Sequence, residues 1–419
     1  MVRSNGGHIE AEVCVVGGGP AGLVLGLLLA RQGRRVVVLE KHPDFLRDFR
    51  GDTVHPSTLD VLDELGLTDE LATLPHRKVR RLRMAFPDRT VTVANFGRLR
   101  VRHPYVTFLP QWDFLEMLAG VAGGYPGFTL LRSHEVVDLL RAGGSPDGPV
   151  RGVVATGPAG QRVEVRAPLT VAADGRHSTV RASLGLRPKE FGAPMDVLWL
   201  RLSRRPDDAE GLEMRIGPGR LMIGIDRGVY WQVGYVVPKG GYDRVRAAGL
   251  PALRSALAAL APALADRVDE IRDWDDVRML TVRVDRLRRW HAPGVLLIGD
   301  AAHAMSPVAG VGINLAVQDA VAAARLLAGP LAAGRVTGRD LARVRRRRRL
   351  PTVGTQFIQR AAQRGVVGRV LAERGPVRAP VPLRLLDRFP ALQALPARMI
   401  GVGLRPEHVG PADPARVTS

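Results

Sequence analysis

A glycine motif close to the N-terminus is the first feature of this sequence that could do chemistry. Gly17-x-Gly19-x-x-Gly22 follows the apolar run Val13 to Val16, and Pro20 stands at the predicted start of the next helix. The first glycine allows a tight turn off the strand, and the second lets a pyrophosphate approach the backbone. The third lets the helix pack closely on the strand. This pattern predicts a dinucleotide-binding unit.

An acidic residue stands where such a unit needs one. Glu40 ends a second apolar run, Val36 to Leu39, at about the usual distance of 20 residues from the glycines. Its carboxylate can accept hydrogen bonds from ribose hydroxyls, while the helix start offers free N–H groups to the phosphates. The predicted cofactor contacts in this half of the site are Gly17, Gly19, Pro20, Ala21, Gly22, Glu40 and Lys41.

A second glycine loop, far downstream, favours a flavin over a simple nicotinamide nucleotide. Gly299-Asp300 ends a predicted buried strand, and a long alanine-rich helix is predicted from near Ile313. Asp300 could hold a ribityl hydroxyl, and the helix start could direct N–H groups at the flavin edge that becomes anionic on reduction. Without the first motif, an ordinary strand–loop–helix unit would explain this segment equally well. The predicted contacts are Asp300, Pro307, Gly310, Val311, Gly312 and Asn314.

Composition narrows the class of protein. The formal net charge is +20, from 61 basic and 41 acidic residues. This excess fits the codon bias of a GC-rich genome or attraction of anionic cofactors and substrates, and no nucleic-acid module accompanies it. The longest apolar run is too short for a membrane span, no secretory signal is evident, and the single cysteine, Cys14, excludes an intrachain disulfide. We expect a cytoplasmic protein, monomeric or homodimeric, without a nucleic-acid or membrane partner.

A third segment supports a family assignment. Residues 169–181 are predicted to form a strand, an Asp174-Gly175 turn and a helix start. Together with the two glycine motifs, in this order, the segment resembles the FAD-dependent aromatic hydroxylases, the single-component flavoprotein monooxygenases related to p-hydroxybenzoate hydroxylase. The resemblance covers about residues 10 to 330 and specifies the superfamily, not the substrate. It implies that Asp174 lies near the flavin and the path of the nicotinamide cofactor.

The resemblance adds three further site residues. Arg50 is similar to an arginine that the family places near the flavin entry, and Gln111 is similar to a polar residue that contacts FAD. His55 and Arg50 are the candidates for catalytic roles. For His55 the simpler interpretation is a structural histidine before a proline turn, and for His303 a structural role at the strand end is predicted.

The implied fold class is α/β, with a Rossmann-like FAD-binding domain of p-hydroxybenzoate hydroxylase type, an inserted antiparallel β-sheet substrate domain and C-terminal helices. The FAD-binding domain is discontinuous and comprises residues 1–80, 98–188 and 278–385. The sheet domain comprises residues 81–97 and 189–277. Residues 386–419 form a C-terminal segment whose tail, 411–419, is predicted to be disordered.

Strand-like runs between residues 197 and 237 predict the wall of a substrate pocket. Only one face of each strand can look at the flavin, and the pattern leaves that face open. The candidates to line the pocket are Met222, Tyr230 and Gln232, with Trp231 and Tyr235. Beyond the second motif, Arg345 to Arg349 predicts a solvated helix surface, and Pro351 is predicted to kink or end that helix.

The resemblance implies an FAD-dependent monooxygenase driven by NADPH or NADH. Reduced flavin would add O2 at C4a, and the hydroperoxide would transfer oxygen to an aromatic or polyketide-like secondary metabolite. The protein would exclude water, orient the substrate and help to remove its phenolic proton. The alternatives are a dehydrogenase or reductase of the same fold without oxygen insertion, a nicotinamide-dependent dehydrogenase using the first motif alone, and an arginine-rich binding protein. No metal site is expected.

Overall fold

The computed structural model describes residues 4–5, 8–46, 53–373, 375 and 377–410. Its centre is a six-stranded sheet, in which neighbouring strands are parallel except for the last pair. The strand order is Phe128–Leu131, Val36–Leu39, Val13–Val16, Leu169–Ala172, Val295–Leu297 and His291–Ala292. The four strands in the middle are buried along their whole length, as expected for parallel strands covered on both faces.

This sheet brings the sequence motifs together at one edge. Gly17, Glu40, Asp174 and Gly299 stand at or just beyond the carboxyl ends of four adjacent parallel strands. Because parallel strands all end at the same edge, these residues become neighbours although they are far apart in sequence. Open α/β sheets bind ligands at this edge.

Helices and a second sheet cover the two faces of the six-stranded sheet. Three helices, Pro20–Arg31, Gln111–Gly123 and Val311–Ala332, share an apolar core with one face. The other face packs on a five-stranded sheet, in the order Ser4–Asn5, His8–Glu10, Arg162–Arg166, Val150–Thr156 and Glu135–Arg141. Shorter elements nearby are strands Thr53–Val54, Val106–Phe108 and Arg77–Val79 and helices Pro56–Leu65, Thr68–Thr73 and Thr179–Ser183.

One stretch of the described chain, Val308–Ala332, is long and apolar enough to cross a membrane. Its most apolar window is 78% buried inside the protein. The core helix of a soluble protein can be equally long and apolar. This helix packs against the six-stranded sheet, as a core helix does.

A seven-stranded sheet forms a separate layer. Its order is Arg278–Leu280, Met195–Ser203, Tyr230–Pro238, Arg220–Asp226, Leu212–Gly217, Arg81–Ala85 and Thr90–Asn95. Pairing is antiparallel throughout, apart from the parallel contact between the fifth and sixth strands. One face is covered by helices Tyr242–Ala248 and Leu250–Leu260 and the 3-10 helix Pro262–Glu270.

The edge of this sheet lies at one of the predicted domain boundaries. Strand Arg278–Leu280 pairs with Met195–Ser203 and therefore belongs to the seven-stranded sheet, whereas the sequence placed 278 at the start of an FAD-binding segment. At the other boundary, Lys189–Glu190 pairs with Asp285–Arg286 in a separate two-stranded ladder. The strand–turn–strand predicted around residue 87 is present as Arg81–Ala85 and Thr90–Asn95.

The C-terminal part is helical, and Pro351 does not end its longest helix, so that part of the prediction is wrong. Gly338–Ala362 continues through Pro351, and Thr352 Oγ1 donates to the carbonyl oxygen of Arg348 at 2.9 Å. The elements that follow are the π-helical turn Gln363–Gly368 and the helices Arg369–Ala372, Val381–Arg388 and Ala394–Gly401. The predicted disordered tail, 411–419, lies outside the described residues.

A buried carboxylate joins this helical part to the six-stranded sheet. Asp319 is fully buried on helix Val311–Ala332. Its Oδ2 accepts the backbone N–H of Gly299 at 3.1 Å and contacts His303 Nε2 at 2.6 Å, while Oδ1 accepts Arg348 Nε at 2.9 Å. Burial alone would raise the pKa of Asp319, yet His303 and Arg348 hold that pKa below its ordinary value. His303 is therefore structural, as its sequence position indicated.

The same arginine reaches a second buried carboxylate. Arg348 Nη1 lies 3.4 Å from Glu407 Oε1, and Glu407 also pairs with Arg347 at 2.5 Å and with Arg325 at 2.8 Å. Arg348 is 1% exposed, so the run Arg345 to Arg349 is not wholly a solvated surface as predicted. An arginine in this run instead holds the C-terminal segment against the core.

Replacing Arg348 should cost far more stability than replacing an arginine of the same run that is exposed. Arg348→Met leaves Asp319 and Glu407 buried with one cation fewer, and breaking a buried ion pair typically costs about 3 to 5 kcal/mol. Arg346 is exposed on the same helix, so Arg346→Met should change the free energy of unfolding by about 0.5 kcal/mol or less. Chemical denaturation measures both; equal effects would contradict the role given to Arg348.

Candidate active site

A cavity of about 1110 Å³ lies between the carboxyl edge of the six-stranded sheet and the open face of the seven-stranded sheet. Its floor includes the two glycine loops and the Asp174-Gly175 turn. Its wall comes from the seven-stranded sheet, and part of its rim from Met399, Ile400 and Leu404 in the C-terminal segment. The described structure therefore collects the sequence motifs around one cavity.

The first glycine loop forms a cradle that larger residues would block. Gly17 has φ +103°, and a Cβ there would lie 2.5 Å from the carbonyl oxygen of Ala173. A Cβ at Gly22 would collide with the carbonyl oxygen of Gly17. By contrast, no atom lies within 4 Å of a Cβ built at Gly19. The loop thus packs tightly at two glycines and leaves open space at the third, which fits a phosphate approaching the backbone.

Glu40 is held beside this cradle. Its Oε2 accepts the backbone N–H of Gly18 at 2.9 Å, and its Oε1 accepts that of His42 at 3.1 Å. These two bonds fix the carboxylate at the cavity, where Lys41 and Gln111 also lie. The arrangement suits an acid that accepts hydrogen bonds from the hydroxyls of a ribose.

The Asp174-Gly175 turn is tied to the second motif. Asp174 Oδ2 accepts the N–H of Val180 at 3.2 Å, and burial raises the pKa of Asp174. Arg181 Nη1 donates to the carbonyl oxygen of Ala301 at 3.3 Å, which links the two turns. Asp174 therefore lies on the cavity and also organises the short helix that follows it.

Asp300, which lines the cavity, faces a cation. Its Oδ2 lies 4.0 Å from Arg176 Nη2, and both side chains are about one-third exposed, at 33% and 31%. Two more arginines, Arg278 and Arg283, line the same cavity. Sequence reasoning missed the two later arginines, because nothing in a strand pattern marks an arginine as facing a ligand.

The second glycine loop is strained and anchored. Ala309 has φ +64°, in the left-handed region that costs a residue with a Cβ about 1 kcal/mol. Thr53 Oγ1 donates to the carbonyl oxygen of Gly310 at 2.9 Å and so holds the loop. Helix Val311–Ala332 starts directly after it, with its first N–H groups at the cavity. The predicted contacts Pro307, Gly310, Val311 and Gly312 all line the cavity.

Asn314 differs from the other predicted contacts, because it does not line this cavity. Its Oδ1 accepts hydrogen bonds from Ser57 Oγ at 2.9 Å and Thr58 Oγ1 at 2.6 Å, and its side chain is buried. It connects the helix after the second glycine loop to helix Pro56–Leu65. A role in positioning that helix start fits this geometry better than contact with a cofactor.

His55 is at the cavity but is held by the backbone. Its ring is fully buried, and Nδ1 donates to the carbonyl oxygen of Ile400 at 2.8 Å. Burial lowers the pKa of His55 to about 4, so the imidazole is neutral near pH 7. These facts favour the structural interpretation of His55. Arg50, the other catalytic candidate, lies outside the described residues.

The wall of the cavity shows which strand face looks inward. Leu221 and Ile223 line the cavity. Met222, between them, packs under the covering helices, as do Trp231 and Tyr235. Because side chains alternate along a strand, a shift of one residue moves a side chain from the cavity face to the opposite face. The prediction that Met222 lines the pocket is therefore wrong.

Of the remaining predicted wall residues, Gln232 lines the cavity and Tyr230 does not. Tyr230 stands at the start of its strand, and the Arg201 guanidinium lies 4.9 Å from its ring centre. Gln232 Oε1 accepts hydrogen bonds from Arg227 Nε at 2.9 Å and Nη2 at 2.6 Å. This arginine–glutamine pair is a polar point on a wall that is otherwise mostly apolar. The sequence pattern placed Arg227 in a turn and did not predict that it lines the cavity.

Comparisons with known proteins agree with this site. The family model of the FAD binding domain matches residues 10–353. The chain is 35% identical over 402 residues to 6-methylpretetramide 4-monooxygenase from Streptomyces rimosus, covering 94% of this chain and 93% of that protein. It is 30% identical over 336 residues to 12-dehydrotetracycline 5-monooxygenase/anhydrotetracycline 6-monooxygenase from Streptomyces rimosus subsp. rimosus, covering 74% and 61%.

Solved structures show the same fold. OxyS anhydrotetracycline hydroxylase from Streptomyces rimosus matches with a TM-score of 0.72 at 26% identity, over 94% of this chain and 76% of that chain. PqsL, a probable FAD-dependent monooxygenase from Pseudomonas aeruginosa, matches with a TM-score of 0.73 at 22% identity, over 87% and 98%. Fold and site together define a flavoprotein of the aromatic hydroxylase class, which confirms the predicted fold class. The chain belongs to the family of the FAD binding domain and is an FAD-dependent monooxygenase.

The substitution Gly19→Ala should weaken FAD binding without unfolding the protein. Because the space around Gly19 is open, Gly19→Ala leaves the apoprotein intact, but the added Cβ occupies the path of the phosphate. We expect FAD affinity to fall at least about tenfold, or 1.4 kcal/mol, as measured by flavin fluorescence during titration.

Gly120→Ala is the matched control for this variant. Gly120 lies in helix Gln111–Gly123, and its Cβ would also meet open space. Apoprotein stability should hold or rise slightly, because alanine favours a helix over glycine by about 1 kcal/mol. If both variants bind FAD equally well, the cradle does not hold the phosphates.

The depressed pKa of His55 predicts acid sensitivity. An unfolded histidine binds a proton near pH 6.5, whereas folded His55 does so only near pH 4. The unfolded state therefore holds more protons between these values, and stability falls as the pH drops through this window, by roughly 3 kcal/mol. Urea unfolding between pH 7 and pH 4 should show a shallower decline for His55→Asn. Ser145→Ala, at an exposed residue that does not titrate and lies outside the cavity, should keep the wild-type slope.

Proposed function

We propose that this monooxygenase uses NADPH or NADH and O2 to hydroxylate an aromatic, polyketide-like secondary metabolite. The observation that carries the proposal is one continuous cavity of about 1110 Å³, reaching from the glycine cradle to the apolar wall. Pockets for one small molecule usually measure about 300 to 1,000 Å³. This cavity therefore has room for the flavin end of a dinucleotide and for a bulky substrate. The relatives named for 6-methylpretetramide and anhydrotetracycline support such a substrate.

The residues at the sheet edge fit FAD. The open space at Gly19 suits the pyrophosphate, and the fixed carboxylate of Glu40 suits the ribose. Asp300 and the start of helix Val311–Ala332 suit the ribityl chain and the flavin ring. When bound, FAD would accept electrons from the nicotinamide nucleotide and activate O2, so that one oxygen atom reaches the substrate.

The protein's own contribution on the substrate side is exclusion of water and orientation. Side chains such as Leu221, Ile223 and Val236 present an apolar surface that keeps water from the reacting centre. Arg227 and Gln232 provide polar atoms on that surface. A guanidinium there can hold a phenolate or enolate oxygen and so favour loss of the substrate's proton. His55 is neutral near pH 7, and we assign it a structural role.

The proposal also covers the cellular location, the binding partners and the oligomeric state of the enzyme. We infer a cytoplasmic enzyme whose partners are its small-molecule substrate, O2 and the nicotinamide nucleotide, without nucleic acid or a membrane. The monomer or homodimer expected from the sequence stays a prediction. The sequence alternative, an oxidoreductase of the same fold without oxygen insertion, is an outcome of the test below.

The test is an absorption spectrum of the purified protein, followed by assays of NADPH and NADH consumption with a panel of polycyclic phenols under 18O2. We expect flavin bands, consumption stimulated by at least one phenol, and one 18O atom in its product. Consumption that yields an oxidised product lacking 18O would establish the oxygen-free alternative. If the protein binds FAD but neither NADPH nor NADH reduces it, the proposal that a nicotinamide nucleotide is the reductant is refuted.

A further inference from the structure

Beside the cavity, cationic side chains converge on one aromatic ring. The guanidinium carbons of Arg286 and Arg360 lie 5.0 and 4.7 Å from the ring centre of Phe191, and Lys189 Nζ lies 5.7 Å from it. Arg349, exposed on the same helix as Arg360, also acts electrostatically on Arg286. We call these four side chains, Lys189, Arg286, Arg349 and Arg360, the cationic cluster.

Backbone pairing places like charges together in this cluster. In the two-stranded ladder, Lys189 stands directly opposite Arg286, and Glu190 stands opposite Asp285. Because neighbouring side chains point to opposite faces of a strand, the cations share one face and the acids share the other. Like charges directly opposite one another destabilise a ladder. The fold therefore maintains an arrangement that is unfavourable unless an anion offsets it.

Carboxylates of the protein do not provide that anion. Within the described chain, none forms an ion pair with any member of the cationic cluster. Partial burial, Arg349 and Arg360 lower the pKa of Arg286, which is the effect expected of uncompensated cations. Elsewhere in the same chain, buried arginines such as Arg348 and Arg267 are paired with carboxylates. The cationic cluster thus differs from these two buried arginines, whose charges are offset by carboxylates.

The cluster is held in place by a buried amide. Gln356 is 1% exposed, and its Oε1 accepts Arg286 Nη1 at 2.7 Å. Its Nε2 donates to the carbonyl oxygens of Asp285 at 2.7 Å and Ala304 at 3.1 Å. The backbone N–H of Phe191 donates to Val284 at 2.9 Å. The guanidinium is therefore fixed before any ligand arrives, which lowers the entropy cost of binding one.

The same helix connects the cluster to the cavity. Gln359, next to Arg360, donates to the carbonyl oxygens of Ser306 and Val308 in the second glycine loop. Gln359 and Val308 line the cavity. Arg283, which lines the cavity, lies on the same chain segment as Arg286. An anionic group bound at the cluster would therefore lie beside the second glycine loop, outside the cavity itself.

We propose that the cationic cluster is the docking site for the phosphate groups of the nicotinamide dinucleotide. Guanidinium groups bind phosphate through two parallel hydrogen bonds, and several of them together suit a pyrophosphate. Docked there, the dinucleotide keeps its phosphates at the surface while its nicotinamide end enters the cavity mouth. This inference rests on the proposed function, because it names the binding site of that function's reductant.

The test measures flavin reduction in the FAD-loaded enzyme by stopped flow, at varied NADPH and NADH concentrations. Arg286→Gln with Arg360→Gln should raise the apparent Kd at least about tenfold, since charge-assisted hydrogen bonds are lost. The limiting reduction rate should stay within about twofold. Arg244→Gln is the matched control, because Arg244 is an exposed arginine on helix Tyr242–Ala248, outside the cluster. Inorganic pyrophosphate should compete with the nucleotide in the wild type and much less in the double variant.

Other outcomes distinguish failure of the docking site from failure of the proposed function. An apparent Kd equal to that of Arg244→Gln overturns the inference and leaves the proposed function standing. Loss of pyrophosphate inhibition with an unchanged Kd for the dinucleotide means that the cluster holds only a free anion, which also overturns it. If the wild type is reduced by neither nucleotide, both proposals fail. Should the double variant misfold, Lys189→Gln with Arg349→Gln, both at exposed positions, decides the question by the same measurements.

Discussion

The carboxylate of Asp319 is the contact on which the rest of the site depends. It is buried, and it accepts the backbone N–H of Gly299, the ring of His303 and the guanidinium of Arg348. An ionised carboxylate in the interior is stable only when several such partners surround it. Each partner comes from a different segment: the end of a central strand, the loop after it and a C-terminal helix. The position of Asp300 in the cavity lining follows from this arrangement, because Gly299 is its neighbour.

The cavity has two ends of different character. At the sheet edge, glycine loops, Glu40 and a helix start are fixed by backbone hydrogen bonds, which suits a cofactor of constant shape. At the other end, the wall is apolar, with Arg227 and Gln232 as a polar point. Apolar contacts are tolerant of shape, whereas hydrogen bonds to fixed polar groups set orientation. The same architecture can therefore keep one cofactor site while the strands of the wall change to fit different ring systems.

Sequence reasoning succeeded where local constraints decide the outcome. The glycine turns, the acid after the second strand and the loop before helix Val311–Ala332 all depend on short-range geometry, and they meet at one sheet edge. It failed where a long-range contact decides. The face of Met222 depends on which side of its sheet the covering helices occupy. The burial of Arg348 depends on Asp319 and Glu407, which are distant in sequence, and Pro351 is accommodated inside a helix that tertiary packing supports.

The rim of the cavity also bears on the order of events during synthesis. His55 is hydrogen-bonded to the carbonyl oxygen of Ile400, and Glu407 forms ion pairs with Arg348 and Arg325. The glycine cradle is synthesised before this closing segment, and contacts of large sequence separation form late in folding. A nascent chain would therefore present a half-built cradle with an exposed apolar wall. Until the segment with Ile400 and Glu407 has docked, the apolar wall remains a surface that could associate with other chains or with a chaperone.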